Sequence, residues 1–408
     1  MFRSILILVV SCFTHHVTAE TPIYHVKAPN LYQAGLQLGQ LASNQIQAWF
    51  QLKEFVATQH FVQNTDIGRR AFASFKENNT RVFPELVDEM MGIAKGANVD
   101  LDLVWIANLT PELESLMPLE LKQREDHCTD LFGHELNGDY LHGHNEDWSE
   151  EVKPLWYFVK LTPSSPSANF TECAGMAYPG TLLGYASTWS KNIYSTQNTL
   201  FPNSTLSEGL ACTFVQRRAT CGHGKDGRVM TLAESVTKLN SVGSWAASAS
   251  VNVILIGGDR VDMRTTTMTT MTTKATTAAA AAAAAVHMVN VEAYEDNFSV
   301  LSVTPTSHGN YSHMNMFKHL KKGELADRGD ASTSHRQKRI WAMNAPTSVL
   351  DVAKILGDTE DPKFPIYRSI TLTSSIYSSK TNQLSIWIDS NPHNTLPVFV
   401  WDLGSFFD

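Results

Sequence analysis

The run "HCTDLFGHELNGDYLHGHNEDW", His127 to Trp148, sets an Asn-Gly pair between two alternating stretches and constrains the fold more tightly than any other feature of the chain. Asn-Gly accepts the positive φ that both central positions of a type I′ turn require, so it is a strong hairpin signal. With Asn137-Gly138 as a two-residue loop, Leu136 faces Asp139 and Cys128 faces Asp147. Directly opposed residues carry Cβ atoms roughly 4.5–5.5 Å apart on one side of the ribbon. The expected ribbon therefore brings a thiol to a carboxylate at its open end. His142, His144 and Glu146 then share the opposite face.

That pair alone is poor chemistry, because a neighbouring carboxylate raises the pKa of a thiol. Cutting the chain between His127 and Cys128 would change this. The new α-amine would sit on the residue that carries the sulfur, could take its proton, and would be held and oriented by Asp147.

Residues 1–19 read as a secretory signal peptide: Arg3 precedes an apolar core from Ile5 to Phe13, and small residues precede Glu20. The core is too short to span a bilayer, and no other segment reads as a membrane span. A secreted or lysosomal location is expected. Asn-x-Ser/Thr sequons at Asn78, Asn108, Asn169, Asn203, Asn297 and Asn310 suit glycosylation on that route. Cys12 leaves with the signal, and the remaining Cys128, Cys173, Cys212 and Cys221 are too few for a disulfide scaffold in 408 residues. Cys212 and Cys221 are the pair to join first. A bridge from Cys128 to Cys173 is the structural alternative to a reactive Cys128. A formal net charge of -8 with no dense Lys/Arg run gives no basis for a nucleic-acid partner. A small-molecule partner fits better.

Residues 20–127 are expected to be mostly helical. In "FPELVDEMMGIAKGANVD", Pro84 suits a first helical position, Leu86, Met90 and Ile93 share a face, and Gly96 suits a C-terminal cap. Residues 128–408 change texture: short alternating strands with Gly, Asn and Pro punctuation are interrupted by helical stretches such as Gly227 to Val242. That mix predicts an α+β fold, antiparallel sheet with helices on its faces. The Thr/Ala-rich tract 265–285 cannot build a core and lies between "VNVILIGGD" and "VHMVNVEAY". It reads as an insertion at a hairpin tip.

Cys128-Thr129 followed by Gly143-His144-Asn145-Glu146-Asp147-Trp148 resembles the opening of the catalytic chain in the acyl-coenzyme A:isopenicillin N acyltransferase-like family of cysteine N-terminal-nucleophile hydrolases. The related choloylglycine hydrolases show a similar Cys-Thr opening and a Gly-Arg-Asn-x-Asp-Trp strand. The upstream "FPELVDEMMGIAKGANVDLDLVWIANLTPELE" resembles that family's pro-segment. The resemblance implies a four-layer αββα sandwich, with residues 20–127 as a small subunit that stays associated after cleavage, and no metal or organic cofactor. It implies a zymogen whose Cys128 becomes the nucleophile on self-cleavage after His127, with Asp147 orienting the amine. Asn198, ending "PGTLLGYASTWSKNIYSTQN", and Asn315, in "SHMNMF", would be the oxyanion donors, and Arg336, in "STSHRQKR", would stand beside the nucleophile. Such donors matter because negative charge develops on the carbonyl oxygen under attack, and one donor is worth on the order of 3–4 kcal/mol.

Three positions depart from the pattern. His127 stands where the penicillin-making enzyme has glycine, His144 stands where the bile-salt hydrolases have arginine, and Met316 replaces the histidine usual after the second asparagine. His144 would make the local charge pH-dependent. The expected function is an amidohydrolase or acyltransferase acting on a non-peptide N-acyl amide through a thioester, resolved by water or an amine, with an acyl-CoA among the candidate partners. Two rivals stand beside it. One is a secreted glycoprotein that keeps only the scaffold; the other is a metal-dependent hydrolase using His142, His144 and Glu146, for which no third ligand set is evident.

Overall fold

The structure, a computed structural model, describes residues 21–118, 128–135, 138–168, 170–202, 205–224, 227–241, 243–257, 288–304, 311–321 and 331–408. The expected signal peptide, His127, Asn137, the sequons at Asn169, Asn203 and Asn310, and the tract 265–285 lie outside these residues.

The N-terminal part is helical, as its periodicity predicts. After strand β1 (Ile23–Ala28) come α1 (Leu31–Leu41), α2 (Ser43–Trp49), α3 (Lys53–Asn64), α4 (Asp66–Val82), α5 (Pro84–Ala97), α6 (Leu101–Asn108) and α7 (Thr110–Leu116). Pro84 opens α5, where its missing N–H costs nothing, and Leu86, Met90 and Ile93 are buried. The expected cap differs: Asn98, at φ 55°, ends the helix, and Gly96 lies inside it. The reason is a backbone-on-backbone crossing of α1 and α5. A Cβ at Gly92 would sit 2.1 Å from the Tyr32 carbonyl oxygen, and one at Gly96 would sit 2.2 Å from that of Leu36. Gly35 and Gly39 of α1 make the reciprocal approach to Glu89 and Ile93.

The remainder of the chain contributes β2 (Thr129–His134), β3 (Tyr140–Asp147), β4 (Tyr157–Pro163), β5 (Cys173–Ala177), β6 (Thr188–Ser190), β7 (Ile193–Leu200), α8 (Cys212–Cys221), α9 (Leu232–Ser241), β8 (Trp245–Leu255), β9 (Met288–Glu295), β10 (Asn297–Val303), β11 (Ser312–His313), α10 (Ala331–Trp341), α11 (Val349–Leu356), β12 (Thr371–Ser378), β13 (Gln383–Ile388) and β14 (Phe399–Asp402). They form an eight-stranded sheet, β1-β4-β5-β6-β7-β8-β9-β10, and a six-stranded sheet, β11-β2-β3-β12-β13-β14. All pairings are antiparallel except β1 with β4, which ties the helical segment to the large sheet. β8 and β9 pair with Ile254 opposite Met288, so the strands flanking the Thr/Ala tract do form a hairpin.

The fold is thus mixed α+β, with its two sheets face to face. Tyr194 of β7 meets Ser375 of β12 across the gap at 2.9 Å. Period-two alternation sends Leu131, Leu141 and Ile376 to the outer face of the small sheet, where Val352 and Leu356 of α11 and Ile340 of α10 cover them. Helices α8 and α9 lie against the large sheet. Among the described residues, no helix is long and apolar enough to cross a membrane.

Two expectations are corrected. Asn108 is fully buried; its amide donates to the Val104 and Gly180 carbonyls and its oxygen accepts from the Leu182 N–H, which leaves no room for a glycan. It instead pins the loop after β5 to α6. Cys212 and Cys221 are not joined: they open and close α8, about 13 Å apart at 1.5 Å per residue, beyond disulfide reach. The bridge is Cys173–Cys221, with Cα atoms 5.6 Å apart, which also removes the Cys128–Cys173 alternative. Neither Cys128 nor Cys212 takes part in a disulfide.

Gly92→Ala is expected to push α1 and α5 apart and cost about 1–3 kcal/mol, read as a lower unfolding midpoint in denaturant. Non-reducing peptide mapping is expected to recover Cys173 linked to Cys221 and Cys212 as a thiol. A Cys212–Cys221 peptide would contradict the arrangement.

Candidate active site

The ribbon that carries Cys128 is shifted by one residue from the expected register. Thr129 pairs with Asn145 and His134 with Tyr140. At its tip the Glu135 N–H donates to the Asp139 carbonyl at 2.8 Å and the Gly138 N–H to the Glu135 carbonyl at 3.0 Å. The loop is therefore one residue longer than an Asn-Gly turn, and Gly138, at φ 90°, takes its last position. A slip of one residue moves every side chain to the other face. Cys128 consequently meets Glu146, with Sγ 3.9 Å from Oε1, and not Asp147.

Asp147 is buried on the other side of β3, where its carboxylate accepts from the Arg368 guanidinium and the Thr371 hydroxyl, each at 2.6 Å. His142, His144 and Glu146 lie on the thiol's face, not opposite it, together with Asp130 of β2. All four side chains are buried between the sheets.

These groups form a chain. His144 Nδ1 lies 2.8 Å from Asp130 Oδ1, and its Nε2 lies 3.0 Å from Glu146 Oε2. With a carboxylate on each nitrogen, both must carry hydrogen, so the ring is an imidazolium. Burial opposes that charge, but Asp130 and Glu146 outweigh it and push His144 up to about 10. Burial works against the charge on Asp130 too, yet His144, His142 and the Thr196 hydroxyl hold its carboxyl below the ordinary value. His142 differs: burial, aided by the neighbouring cation, brings it down to about 4 despite Asp130. Its neutral ring reaches the Thr196 hydroxyl at 3.0 Å. The Tyr178 hydroxyl closes the chain, donating to Glu146 Oε1 at 2.6 Å.

Arg336 approaches Cys128 from the other side. It is buried on a stripe of α10 with Ser332, Thr333, Gln337 and Ile340. Its Nη1 donates to the Cys128 carbonyl at 2.9 Å and to Thr129 Oγ1 at 2.7 Å, and its Nη2 donates to Asn315 Oδ1 at 2.9 Å. The expected neighbourhood of Arg336, Asn315 and Cys128 is therefore present. Asn315 Nδ2 donates to the Thr199 carbonyl at 3.0 Å. Asn198, buried on β7, donates to the carbonyl of His313 at 2.7 Å, and His313 pairs with Asp130. Each amide so spends one hydrogen on the main chain and retains a second.

The thiol thus faces a cluster in which the carboxylates of Asp130 and Glu146 share the His144 cation, while Arg336 places a second positive charge on the Cys128 main chain. Asp130, Tyr178 and Thr196 did not emerge from the sequence. Asp130 was legible in principle, being in register with His144 once the turn is lengthened by one residue.

His142 gives a pH test. Its folded value lies below the ordinary 6.5, so the unfolded chain binds the proton first. The stability it contributes is complete above pH 6.5 and falls as the pH drops toward 4, by up to about 1.4 kcal/mol per pH unit. Unfolding midpoints of the wild type are expected to drop more steeply over this window than those of His142→Gln. Parallel curves would contradict the assignment.

No protein-family model matches the chain. The chain is similar to the beta-alanyl-dopamine/carcinine hydrolase of Drosophila melanogaster, 22% identical over an alignment that covers 92% of this chain and 96% of that protein.

Proposed function

We propose that the protein is a cysteine N-terminal-nucleophile amidohydrolase whose substrates are non-peptide N-acyl amides. The observation that carries this reading is the setting of Cys128, a cysteine outside any disulfide at the open end of a ribbon between two sheets, with the Arg336 guanidinium on its carbonyl and Glu146 at its sulfur. Two facing sheets covered by helices agree with the fold of such enzymes. The likeness to a hydrolase named for β-alanyl-dopamine and carcinine supports small N-acyl amines as the substrate class.

In this mechanism water cleaves the His127–Cys128 peptide bond, leaving a carboxylate on His127 and an α-amine on Cys128, and residues 20–127 stay associated. The freed α-amine takes the Sγ proton as sulfur attacks the amide carbonyl. Asn198 and Asn315 offer their remaining N–H groups to the oxyanion, and Arg336 supplies fixed positive charge. The amine then returns the proton to the leaving amine, and water resolves the thioester. An acceptor amine at the same step would make the reaction an acyl transfer. Asp147, committed to Arg368 and Thr371, anchors the strand end beside the amine, and Glu146 is the carboxylate at the thiol. Entry into the secretory route is part of the proposal; the Cys173–Cys221 bridge suits an oxidising lumen.

Sequencing the amino terminus of the larger fragment of purified protein tests the proposal. It is expected to begin Cys-Thr-Asp. Cys128→Ala is expected to remain one uncut chain and to lose about a thousandfold or more of turnover on β-alanyl amines. Full turnover by a wild-type chain uncut at position 128 would refute the mechanism.

A further inference from the structure

We propose that Cys128, His144 and Glu146 form a binding site for a divalent cation of the zinc class, and that the cation, once bound, holds the nucleophile inactive. The binding half stands on geometry alone; the inhibitory half rests on Cys128 being the nucleophile. One ligand atom from each residue, Sγ, a ring nitrogen and a carboxylate oxygen, lies within 4.8 Å of the other two, and all three residues are buried. Zinc bonds of about 2.0–2.3 Å place tetrahedral ligand atoms roughly 3.3–3.8 Å apart. The Nε2–Oε2 separation is 3.0 Å and Sγ lies 3.9 Å from the other oxygen of the same carboxylate, Oε1, so the Glu146 carboxylate bridges the nitrogen and the sulfur.

The donor set selects the cation. A thiolate, an imidazole and one carboxylate suit zinc, with a fourth position left for water; zinc must therefore displace the Sγ proton and the Nε2 proton of the His144 imidazolium, and both pass to solvent on binding. Magnesium and calcium require six or more oxygens, and this site offers one carboxylate.

The surroundings are those of a prepared ligand set. Metal-bound histidines commonly donate their other ring N–H to a carboxylate, which fixes the ring and strengthens the ligand. Asp130 already occupies that place on His144 Nδ1, at 2.8 Å. The Tyr178 hydroxyl holds Glu146 Oε1 at 2.6 Å, which leaves Oε2 on the side of the imidazole. His142 is outside the set, because its ring nitrogens do not fall within the cluster of ligand atoms around Sγ and its Nε2 reaches Thr196 and Asp130 instead. The triad is therefore not the His-x-His-x-Glu run of the sequence. Its sulfur is the atom that must attack the carbonyl, and a sulfur lone pair bound to metal cannot do so.

The test uses the purified full chain stripped with a chelator. Zinc chloride is titrated against a fluorescent zinc indicator, and alkylation of Cys128 by iodoacetamide is followed by peptide mass. Expected are one zinc per chain and at least about tenfold slower alkylation at saturation, reversed by chelator and not reproduced by magnesium. Asp130→Asn is expected to weaken zinc by about 10–100-fold, as loss of an outer partner does, with Glu146→Gln weakening it at least as much. Zinc uptake unchanged in Cys128→Ala, or alkylation as fast with zinc as without, would overturn the site. Turnover that rises on adding zinc would overturn the inhibitory half. A chain that takes up zinc yet proves uncut and inactive throughout would support the site while refuting the proposed mechanism.

Discussion

The carboxylate–imidazolium–carboxylate chain of Asp130, His144 and Glu146 is the interaction on which the centre of the molecule depends. Charges removed from water are costly unless each is matched and hydrogen-bonded. Here the matching takes both nitrogens of one histidine, with oxygens from neighbouring strands at 2.8 and 3.0 Å. A buried ion pair is weak evidence of added stability, but it is demanding about geometry. If β2 slipped by one residue against β3, Asp130 would leave the gap between the sheets and His144 would lose its partner. The chain therefore specifies the register that brings Cys128 to Glu146.

The same economy extends into the large sheet. Thr196 donates to Asp130 and accepts from Asn252; Asn252 in turn accepts from Asn290, whose carbonyl oxygen meets His319. Glu292 ends this path. It accepts from the main-chain N–H groups of Lys318, His319 and Leu320 and lies 2.8 Å from His313 Nε2. Burial opposes its charge, but His313, His319 and those N–H groups hold its carboxyl down to about 2. The path turns back to the site through His313, whose carbonyl holds Asn198. A polar seam of this kind explains why the inner faces of β3, β7, β8 and β9 carry Thr, Asn, His and Glu where an ordinary sheet-on-sheet core would carry Val and Leu.

Much of the architecture was legible because local chemistry dictates it. Pro84 and the spacing of Leu86, Met90 and Ile93 mark α5; the Asn-Gly pair marks a hairpin; and the run "VNVILIGGD" marks a strand whose partner lies beyond the Thr/Ala tract. The neighbourhood of Cys128, Asn315 and Arg336 was legible only through resemblance, since nothing local tells that Arg336 on α10 reaches a carbonyl 208 positions away. Tyr178 and Thr196 had no such signal, and Asp130 had only its register with His144 across a longer turn. Each matters through a partner on another element.

The sequence by itself determined that the N-terminal segment is mostly helical and the rest mixes strands with helices, that Cys128 begins a ribbon, and which residue types cluster along it. Tertiary structure decided the rest. It set Glu146 rather than Asp147 beside the sulfur, joined Cys221 to Cys173, and buried the sequon at Asn108. The physical reason is common to all three. Helix and strand periodicities depend on neighbours a few residues apart, whereas one residue of turn length, one helix span or one packed loop acts through distances that only the folded chain brings within bonding range.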